Sequence, residues 1–430
     1  MPASSKHSAQ FSVNHPKEFS LKMLNWTNRF NIFCLLDQGS NQQGGHAFDY
    51  LLAAGARSEF IAGNCGYLEG LKRFHETHKD WIFGHFAYPL PLDKPEAKPR
   101  VHADPAYFFA PQVMLRVAGK EVFIDTWDGS NPADRFREIM GEGIAEAIQG
   151  ITVPDIRSDL DRDAYISIIE SLKKHIRRGD CYEINFCREF YANDITLDLV
   201  GLYRRLTALS PNPFSAFYRV HNRYCLCASP ERFIRKSGTE LISQPIKGTS
   251  RRHLQDAEAD AAAREYLHQS PKEKSENVMV VDLVRNDMSR VCTEGSVSVR
   301  ELFGIYAFPQ VYQMISTIEG RVGETTHWTD IISACFPMGS MTGAPKRRVM
   351  ELIDQYEPVP RGLFSGSIGY VSPESDFDFN VVIRSLFYDQ DARILSFSAG
   401  SGITAYCDAE REFEECEWKA AAIRQMLGAG

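Results

Sequence analysis

Short runs in which apolar and polar residues alternate recur along the first 150 residues and again in the middle of the sequence. A period of two is typical of half-buried β-strands. The run from Val113 to Trp127 is interrupted by Ala118-Gly119-Lys120, which predicts a hairpin. Further strands are predicted at Tyr182–Phe190, Phe214–Val220, Tyr224–Ala228, Glu240–Gln244 and Ile394–Ser398. The pattern favours antiparallel sheets over βαβ units, with few strong helices in the first 150 residues.

Helical patterns occur after residue 160. Asp161 precedes a run whose apolar residues share one face and which ends at Gly179, so a helix is predicted there. Asp408 is a predicted cap for a C-terminal helix that runs to Leu427. No repeat of fixed period is found. The sequence therefore predicts one α+β unit, with a β-rich region at 1–150, a connection at 151–160 and a main region at 160–427.

Composition and charge exclude several classes of protein. The 430 residues include 56 acidic and 48 basic side chains, a net charge of -8, which argues against a surface that binds nucleic acid. No apolar stretch approaches the length of a membrane span, so a soluble cytoplasmic protein is expected. The ten cysteines do not form CxxC pairs, and we expect reduced thiols in the core.

Lys247 is a candidate nucleophile. It lies in Pro245-Ile-Lys-Gly-Thr249, directly after a predicted strand. A lysine amine attacks carbon only when it is free of its proton, and burial lowers the pKa of a lysine toward that state. An apolar strand end is a suitable setting. The alternative is a surface lysine at the end of a strand.

Two pairs of glutamates have helical spacing. Glu273 and Glu276 begin one predicted helix, and Glu412 and Glu415 lie on the polar face of the C-terminal helix, near Lys419. If the two faces converge, their carboxylates suit Mg²⁺, because this ion prefers oxygen ligands and keeps several waters. The alternative is that both are solvated acidic faces.

Two glycine-rich segments can bring backbone amides close to an anion. The loop from Phe336 to Lys346 contains Thr342 and precedes a helix, with Pro345 predicted in its first turn. It lacks the spacing of a nucleotide-binding P-loop. The segment Ala399-Gly400-Ser401-Gly402-Ile403 follows a strand and either binds a carboxylate or forms a glycine bulge at the strand end.

Arg384 and His327 are further candidates. Arg384 is a charge in an apolar strand-like run, so it needs an anionic partner. That partner is either a substrate carboxylate or an aspartate such as Asp282 or Asp287. His327 precedes an apolar helix and is either a proton donor or a helix cap.

Taken together, these ordered motifs resemble the chorismate-utilising enzymes over roughly residues 160–427. The motifs are Pro245–Thr249, Glu273–Asp287, Phe336–Lys346, Gly366–Tyr370, Arg384, Ala399–Ile403 and the final acidic helix. The resemblance implies an α+β fold in which two antiparallel sheets pack face to face with helices outside. The N-terminal region is expected to complete the same body.

The resemblance also implies roles for individual residues. Glu276 and Glu415 are expected to hold Mg²⁺, with Glu273 and Glu412 assisting through waters. His327 is expected near the departing C4 hydroxyl of chorismate. The residues expected to contact the substrate are Thr249, Thr342, Tyr370, Arg384, Gly400, Ser401, Gly402 and Lys419.

With lysine at position 247, the chain resembles the family members that form 4-amino-4-deoxychorismate for para-aminobenzoate and folate synthesis. The anthranilate-forming members usually carry alanine at this position. The lysine is expected to add covalently to chorismate before ammonia displaces it. Anthranilate synthesis and a non-catalytic chorismate-binding regulator remain the alternatives. Glu183 departs from the glutamine usual in ammonia-using members. No glutaminase motif is found, so a separate glutamine amidotransferase is expected to supply ammonia.

Overall fold

The computed structural model describes residues 6–38, 48–63, 66–89, 98–144, 153 and 155–428. Ten α-helices lie within these ranges. They are α1 Pro16–Trp26, α2 Tyr67–His78, α3 Pro132–Gly141, α4 Arg162–Arg178, α5 Leu199–Leu209, α6 Ala257–Gln269, α7 Pro271–Ser289, α8 Trp328–Cys335, α9 Lys346–Tyr356 and α10 Ala409–Met426. Within the same ranges, none of them combines the length and apolar character that crossing a bilayer requires.

The described ranges also contain twenty strands. They are β1 His7–Ser12, β2 Ile32–Asp37, β3 Tyr50–Ile61, β4 Ile82–Phe86, β5 Ala106–Ala118, β6 Glu121–Thr126, β7 Arg157–Ser158, β8 Glu183–Ala192, β9 Phe214–Val220, β10 Arg223–Ser229, β11 Arg232–Ser237, β12 Glu240–Gln244, β13 Ile246–Arg251, β14 Ser298–Ala307, β15 Val311–Arg321, β16 Gly343–Ala344, β17 Ser367–Val371, β18 Phe377–Asn380, β19 Ser385–Asp389 and β20 Ile394–Ile403.

Local signals account for many of these boundaries. The side chain of Asp161 accepts a hydrogen bond from the Ala164 amide at the start of α4, and Gly179 ends that helix in a left-handed conformation. The predicted hairpin is β5 and β6, which pair antiparallel across the Gly119 turn. The N-terminal part contains three short helices, α1, α2 and α3, of 11, 12 and 10 residues.

The described strand pairs are all antiparallel and form two arms that share β5. One arm runs β1–β6–β5–β3–β2–β9–β10–β19–β20–β8, with β7 and β16 at the ends of β8. The other runs β5–β4–β17–β18–β11–β12–β15, with β13 and β14 also paired to β15. Both arms therefore contain strands from the N-terminal part and from the main region.

The first of two large hydrophobic cores lies between the two arms. It contains Cys34 and Tyr218 from one arm and Phe83 and Phe379 from the other. A second core covers the outer face of the first arm, where α1, α5 and α10 pack. This arrangement confirms the α+β prediction of two packed antiparallel sheets with helices outside. All nine described cysteines are free thiols, and Cys65 lies outside the described residues.

Several predicted element boundaries are corrected. The strand predicted to end at Ser398 continues through Ile403 in regular register with β8, so its glycines do not form a terminal bulge. Arg384 lies just before β19 in a left-handed conformation (φ 52°) rather than inside a strand. Pro345 is the N-cap residue of α9, not part of its first turn. Of the predicted connection, residues 151, 152 and 154 lie outside the described residues.

Candidate active site

A cavity of about 1050 Å³ opens where β8, β13 and β20 meet α7 and α10. Most of the side chains singled out in the sequence lie on its wall. They are Lys247, Thr249, Glu273, Glu276, Arg384, Gly400, Ser401, Gly402, Glu412, Glu415 and Lys419. The cavity therefore brings together segments that are up to 241 residues apart in the sequence, from Asn185 to Met426.

Strand β8 forms part of the wall because its side chains alternate between two faces. Ile184 and Phe186 face an apolar cluster with α4 and α9. Asn185 and Cys187 face the cavity, and Glu183 continues the same row. The period of two thus explains why one strand supplies both core residues and site residues.

Helices α7 and α10 each turn one acidic face toward the cavity. The α7 helix begins at Pro271 and is capped by the Ser270 side chain, which accepts a hydrogen bond from the Glu273 amide at 3.4 Å. Glu273 and Glu276 follow at helical spacing, so both reach the cavity wall. Glu412 and Glu415 repeat this arrangement on α10. The two acidic faces therefore converge, as the resemblance implied.

Lys247 forms a close ion pair with Glu183. The Lys247 Nζ and Glu183 Oε1 atoms are 2.6 Å apart, and the two side chains are 13% and 3% exposed. The backbone of Lys247 is also held, because Asn277 donates a hydrogen bond to its carbonyl oxygen at 3.3 Å. The Glu183 contact was not foreseen, because Glu183 and Lys247 are 64 residues apart in the sequence.

The pKa of Lys247 is raised above its ordinary value, and the expectation of a lowered pKa is wrong. Burial alone lowers it, but attraction to Glu183, Glu276 and Glu231 outweighs burial. The amine is therefore an ammonium ion in the protein as described. A role as nucleophile requires that a neighbouring group take its proton.

The four glutamates fit a divalent cation by their chemistry. Burial raises the pKa of Glu276 to about 7 and also raises the pKa values of Glu273 and Glu412. Glu276 Oε1 is buried and has no hydrogen-bond partner in the part of the chain that the structure describes, and Lys272 Nζ lies 3.8 Å from it. A cation would relieve this crowding of negative charge. In the described part of the chain, no three potential ligands are already drawn together around one point.

Glu231 and Phe364 line the cavity and were not singled out from the sequence. Glu231 is 3% exposed, and burial raises its pKa to about 7, so near neutral pH a fraction of the molecules carry a protonated Glu231 that can donate its proton. Burial lowers the pKa of Arg384 to about 10, and Glu231 partly opposes that shift. The sequence around Glu231, Ser229-Pro230-Glu231, contains no motif that would have indicated a proton donor.

The sequence left two kinds of anionic partner open for Arg384, a substrate carboxylate or an aspartate such as Asp282 or Asp287. Asp287 pairs with Lys346 and Arg290, and Asp282 pairs with Arg285, so neither aspartate is its partner. Arg384 is partly buried on the cavity wall and interacts electrostatically with Glu231. Its guanidinium is thus a candidate to bind a carboxylate.

His327, Tyr370 and Thr342 are not among the described residues that line the cavity, where the resemblance had placed them. His327 is the N-cap of α8, where Nδ1 accepts a hydrogen bond from the Thr329 amide at 3.2 Å. Tyr370 lines a separate cavity of about 40 Å³, with its ring 5.3 Å from that of Trp81. Thr342 is fully buried and donates to backbone carbonyls of its own loop.

A buried ion pair holds the loop and β8 in place. Arg361 pairs with Glu357 at 2.6 Å and donates to the carbonyl oxygens of Met341 and Asn185, each at 2.7 Å. Glu357 in turn accepts from the Cys187 amide at 2.9 Å. The pair therefore fixes the 338–342 loop against the strand that carries Glu183.

Comparison with known proteins gives a family match. A family model described as chorismate binding enzyme matches residues 38–425. The chain is 41% identical over 271 residues to aminodeoxychorismate synthase component 1 of Salmonella typhimurium, which is 63% of this chain and 59% of that protein. It is 33% identical over 276 residues to the protein of the same name from Bacillus subtilis, covering 64% and 58%. The matches thus span less than two thirds of those relatives' own length.

Solved structures agree on the fold. The menaquinone-specific isochorismate synthase of Escherichia coli matches with a TM-score of 0.78 at 18% identity, over 99% of this chain and 95% of that chain. Anthranilate synthase component I of Streptococcus pneumoniae matches with a TM-score of 0.75 at 22% identity, over 88% and 91%. At these identities the likeness concerns the fold alone.

Proposed function

The chain belongs to the family of chorismate-binding enzymes, and from this premise we propose that it converts chorismate and ammonia to 4-amino-4-deoxychorismate. The observation that carries this proposal is the position of Lys247, a lysine on the cavity wall between the two acidic helices. Relatives at 33–41% identity are named aminodeoxychorismate synthase component 1, and that name supports the same reaction here.

In the proposed reaction, Lys247 adds to C2 of the chorismate ring as the C4 hydroxyl leaves. The two ring double bonds shift by one position each, and Glu231 donates the proton that makes the leaving group water. Ammonia then adds at C4, the double bonds return, and the bond to Lys247 breaks. The covalent intermediate divides one substitution into two steps of lower barrier.

Cationic groups on the wall bind the substrate's carboxylates in this proposal. Arg384 is partly buried, so its charge is poorly solvated and gains most from an anionic ligand. Lys419 also lines the cavity and donates a hydrogen bond to the carbonyl oxygen of Gly400. Together these groups orient the ring so that C2 faces Lys247.

We further propose that Glu276 and Glu415 hold Mg²⁺, with Glu273 and Glu412 assisting. Support comes from the all-carboxylate donor set and from the buried Oε1 of Glu276, which has no hydrogen-bond partner among the described residues. Bound Mg²⁺ supplies Lewis acidity toward the ring carboxylate and neutralises the crowded glutamates.

A separate glutamine amidotransferase is the proposed source of ammonia, which agrees with the name component 1 of the relatives. We propose that the reaction takes place in the cytoplasm, where the buried free thiols of the described cysteines remain reduced. Glutamine alone is expected to support no turnover by the purified chain, whereas ammonium salts support it.

Product analysis tests the proposed function. The purified chain is incubated with chorismate, Mg²⁺ and an ammonium salt, and the products are separated by chromatography. Aminodeoxychorismate is the expected product. Release of anthranilate and pyruvate contradicts the proposal and supports anthranilate synthesis instead. Chorismate binding without any product supports the regulator.

The Lys247→Ala variant tests the covalent step. It is expected to lose turnover while it still binds chorismate. Lys236→Ala is the matched control, since Lys236 is also a buried, paired lysine but lies outside the cavity lining. Without ammonia, the wild-type chain is expected to gain the mass of chorismic acid less one water on Lys247. Unchanged turnover in Lys247→Ala contradicts the nucleophile role.

A further inference from the structure

Glu183 lies behind Lys247 as seen from the cavity. Lys247 is among the described lining residues, and Glu183 is not. Glu183 is nevertheless in direct contact with the lysine nitrogen, at 2.6 Å, and its own side chain is only 3% exposed. A ligand in the cavity therefore meets Lys247, while Glu183 acts on the ligand only through that nitrogen.

Gly402 leaves the space that this contact needs. A Cβ atom at position 402 would lie 2.6 Å from Glu183 Oε1 and 2.8 Å from Lys247 Nζ. Gly402 stands opposite Asn185 in the regular β8–β20 ladder, so the strand cannot shift without breaking that register. The ion pair therefore depends on a residue without a side chain at this position.

The two carboxylate oxygens of Glu183 differ in their hydrogen bonding. Its Oε1 atom accepts from Lys247, whereas its Oε2 atom is buried and has no hydrogen-bond partner among the described residues. The Lys247 ammonium is therefore the hydrogen-bond donor that faces this carboxylate, and Oε1 lies at the distance that direct proton transfer from Nζ requires.

Charged groups from four parts of the chain face Lys247. They are Glu183 from β8, Glu231 from the turn before β11, Glu273 and Glu276 from α7, and Glu415 from α10. All are acidic, and together they keep the lysine charged. Of these, Glu183 accepts a hydrogen bond from Lys247 Nζ at 2.6 Å.

We propose that Glu183 is the base that takes the proton from Lys247 when the lysine becomes a nucleophile. This inference rests on the proposed function. The proton moves from Nζ to Oε1, and the nitrogen lone pair then forms the bond to C2 while the C4–O bond breaks. When ammonia has added at C4 and the C2–N bond breaks, Glu183 returns its proton to the lysine. The new C4 amine gives its extra proton to Glu231, so both carboxyl groups are restored.

The Glu183→Gln variant, compared with Glu183→Asp, tests the inference. Glutamine keeps the shape but cannot accept the proton, so kcat at pH 7 is expected to fall about a hundredfold, with KM little changed. Its kcat is expected to rise with pH, because the amine must then lose its proton to solvent. Aspartate keeps the base and is expected to retain the wild-type pH profile at a lower rate. If kcat falls equally in both variants at every pH, Glu183 has a packing role and the inference is overturned. A wild-type dependence of kcat on pH in Glu183→Gln also overturns it.

A second measurement does not require turnover. The wild-type chain and Glu183→Gln are treated with limiting acetic anhydride at pH 8 without substrate, and acetylation is quantified by mass spectrometry. Glu183→Gln removes one of the attractions that oppose burial, so the pKa of Lys247 is expected to fall below its wild-type value and its acetylation to increase relative to Lys236 in the same sample. Equal acetylation overturns the inference and leaves the proposed function intact. If no aminodeoxychorismate forms, the proposed function fails, while this measurement still reports whether Glu183 controls the Lys247 proton.

Discussion

Lys419 donates a hydrogen bond to the carbonyl oxygen of Gly400 at 2.7 Å, and so ties α10 to β20. The same Nζ atom is 2.8 Å from Glu415 Oε1. Burial raises the pKa of Glu415, but Lys419 outweighs it and holds the pKa below its ordinary value. One lysine therefore sets both the position of the acidic helix and the charge of a proposed metal ligand.

Lys419→Met is expected to raise the KM for chorismate about tenfold. This factor is at the low end of the range for the loss of a charged hydrogen bond, because Lys419 is 39% exposed and its charge is screened by solvent. Steady-state kinetics at saturating Mg²⁺ measure the change. Arg411→Met, an exposed cation on the same helix, is the control and is expected to leave KM unchanged. Equal KM values for both variants contradict a role of Lys419 in substrate binding.

Glu276→Gln is expected to stabilise the metal-free protein above pH 7. Burial raises the pKa of Glu276 from 4.5 to about 7, so the folded chain holds this proton more tightly than the unfolded chain does. The free energy of unfolding therefore falls as pH rises from about 4.5 to 7. Glutamine removes that loss, so its thermal unfolding midpoint should exceed that of the wild type at pH 8, and the difference should shrink at pH 5.

The thermal unfolding of the wild type and of Glu276→Gln is also compared in the presence of Mg²⁺. The ion is expected to raise the unfolding midpoint of the wild type more than that of Glu276→Gln, because the variant lacks one proposed ligand. Asp282→Asn, on an exposed face of α7, serves as the control and should respond like the wild type. A variant that is less stable than the wild type at pH 8 without Mg²⁺ would contradict the argument from burial.

Phe364→Leu is expected to raise the KM for chorismate several-fold, because Phe364 is 4% exposed and contributes an apolar surface to the cavity. Leucine is chosen because truncation to alanine would also cost about 3–5 kcal/mol of stability. Tyr370→Phe is the matched comparison. Since Tyr370 lines the other cavity, its kcat and KM are expected to stay within about twofold of the wild type. A large kinetic effect of Tyr370→Phe would show that the two cavities are coupled.

His327→Ala is expected to lower the free energy of unfolding by about 1 kcal/mol through loss of the α8 cap, and to leave kcat within about twofold of the wild type. His327→Asn keeps a capping side chain and should restore the stability. Chemical denaturation and steady-state kinetics on the same preparations separate the two effects. A hundredfold loss of kcat in both variants would restore His327 as a proton donor.

Local structure was predictable where a few neighbouring residues carry the signal. Asp161 and Gly179 mark the ends of α4 because capping and left-handed termination are decided within one turn of helix. The spacing of Glu273 and Glu276 likewise placed both carboxylates on one face. The resemblance to a family then indicated which of these faces share a cavity, something that spacing leaves open.

Tyr370 and Glu231 illustrate the limit of that reasoning. Tyr370 follows a glycine in a recognisable motif, yet the pleat of β17 turns its ring toward Trp81 and away from the cavity. Glu231 has no motif of its own in the sequence and becomes a candidate acid only because the surrounding sheet and loop bury it. The direction of a side chain and its burial depend on packing partners that lie far away in the sequence.

The amino-acid sequence alone determined several helix ends, the antiparallel strands and the helical spacing of the paired glutamates, because these features depend on periodicity and on near neighbours. Tertiary structure alone decided the protonation of Lys247. Glu183 reaches it across 64 residues, through a gap that Gly402 leaves open, and together with Glu276 and Glu231 it reverses the effect of burial on the pKa of Lys247. Electrostatic energies depend on distances through space, which local sequence patterns do not encode.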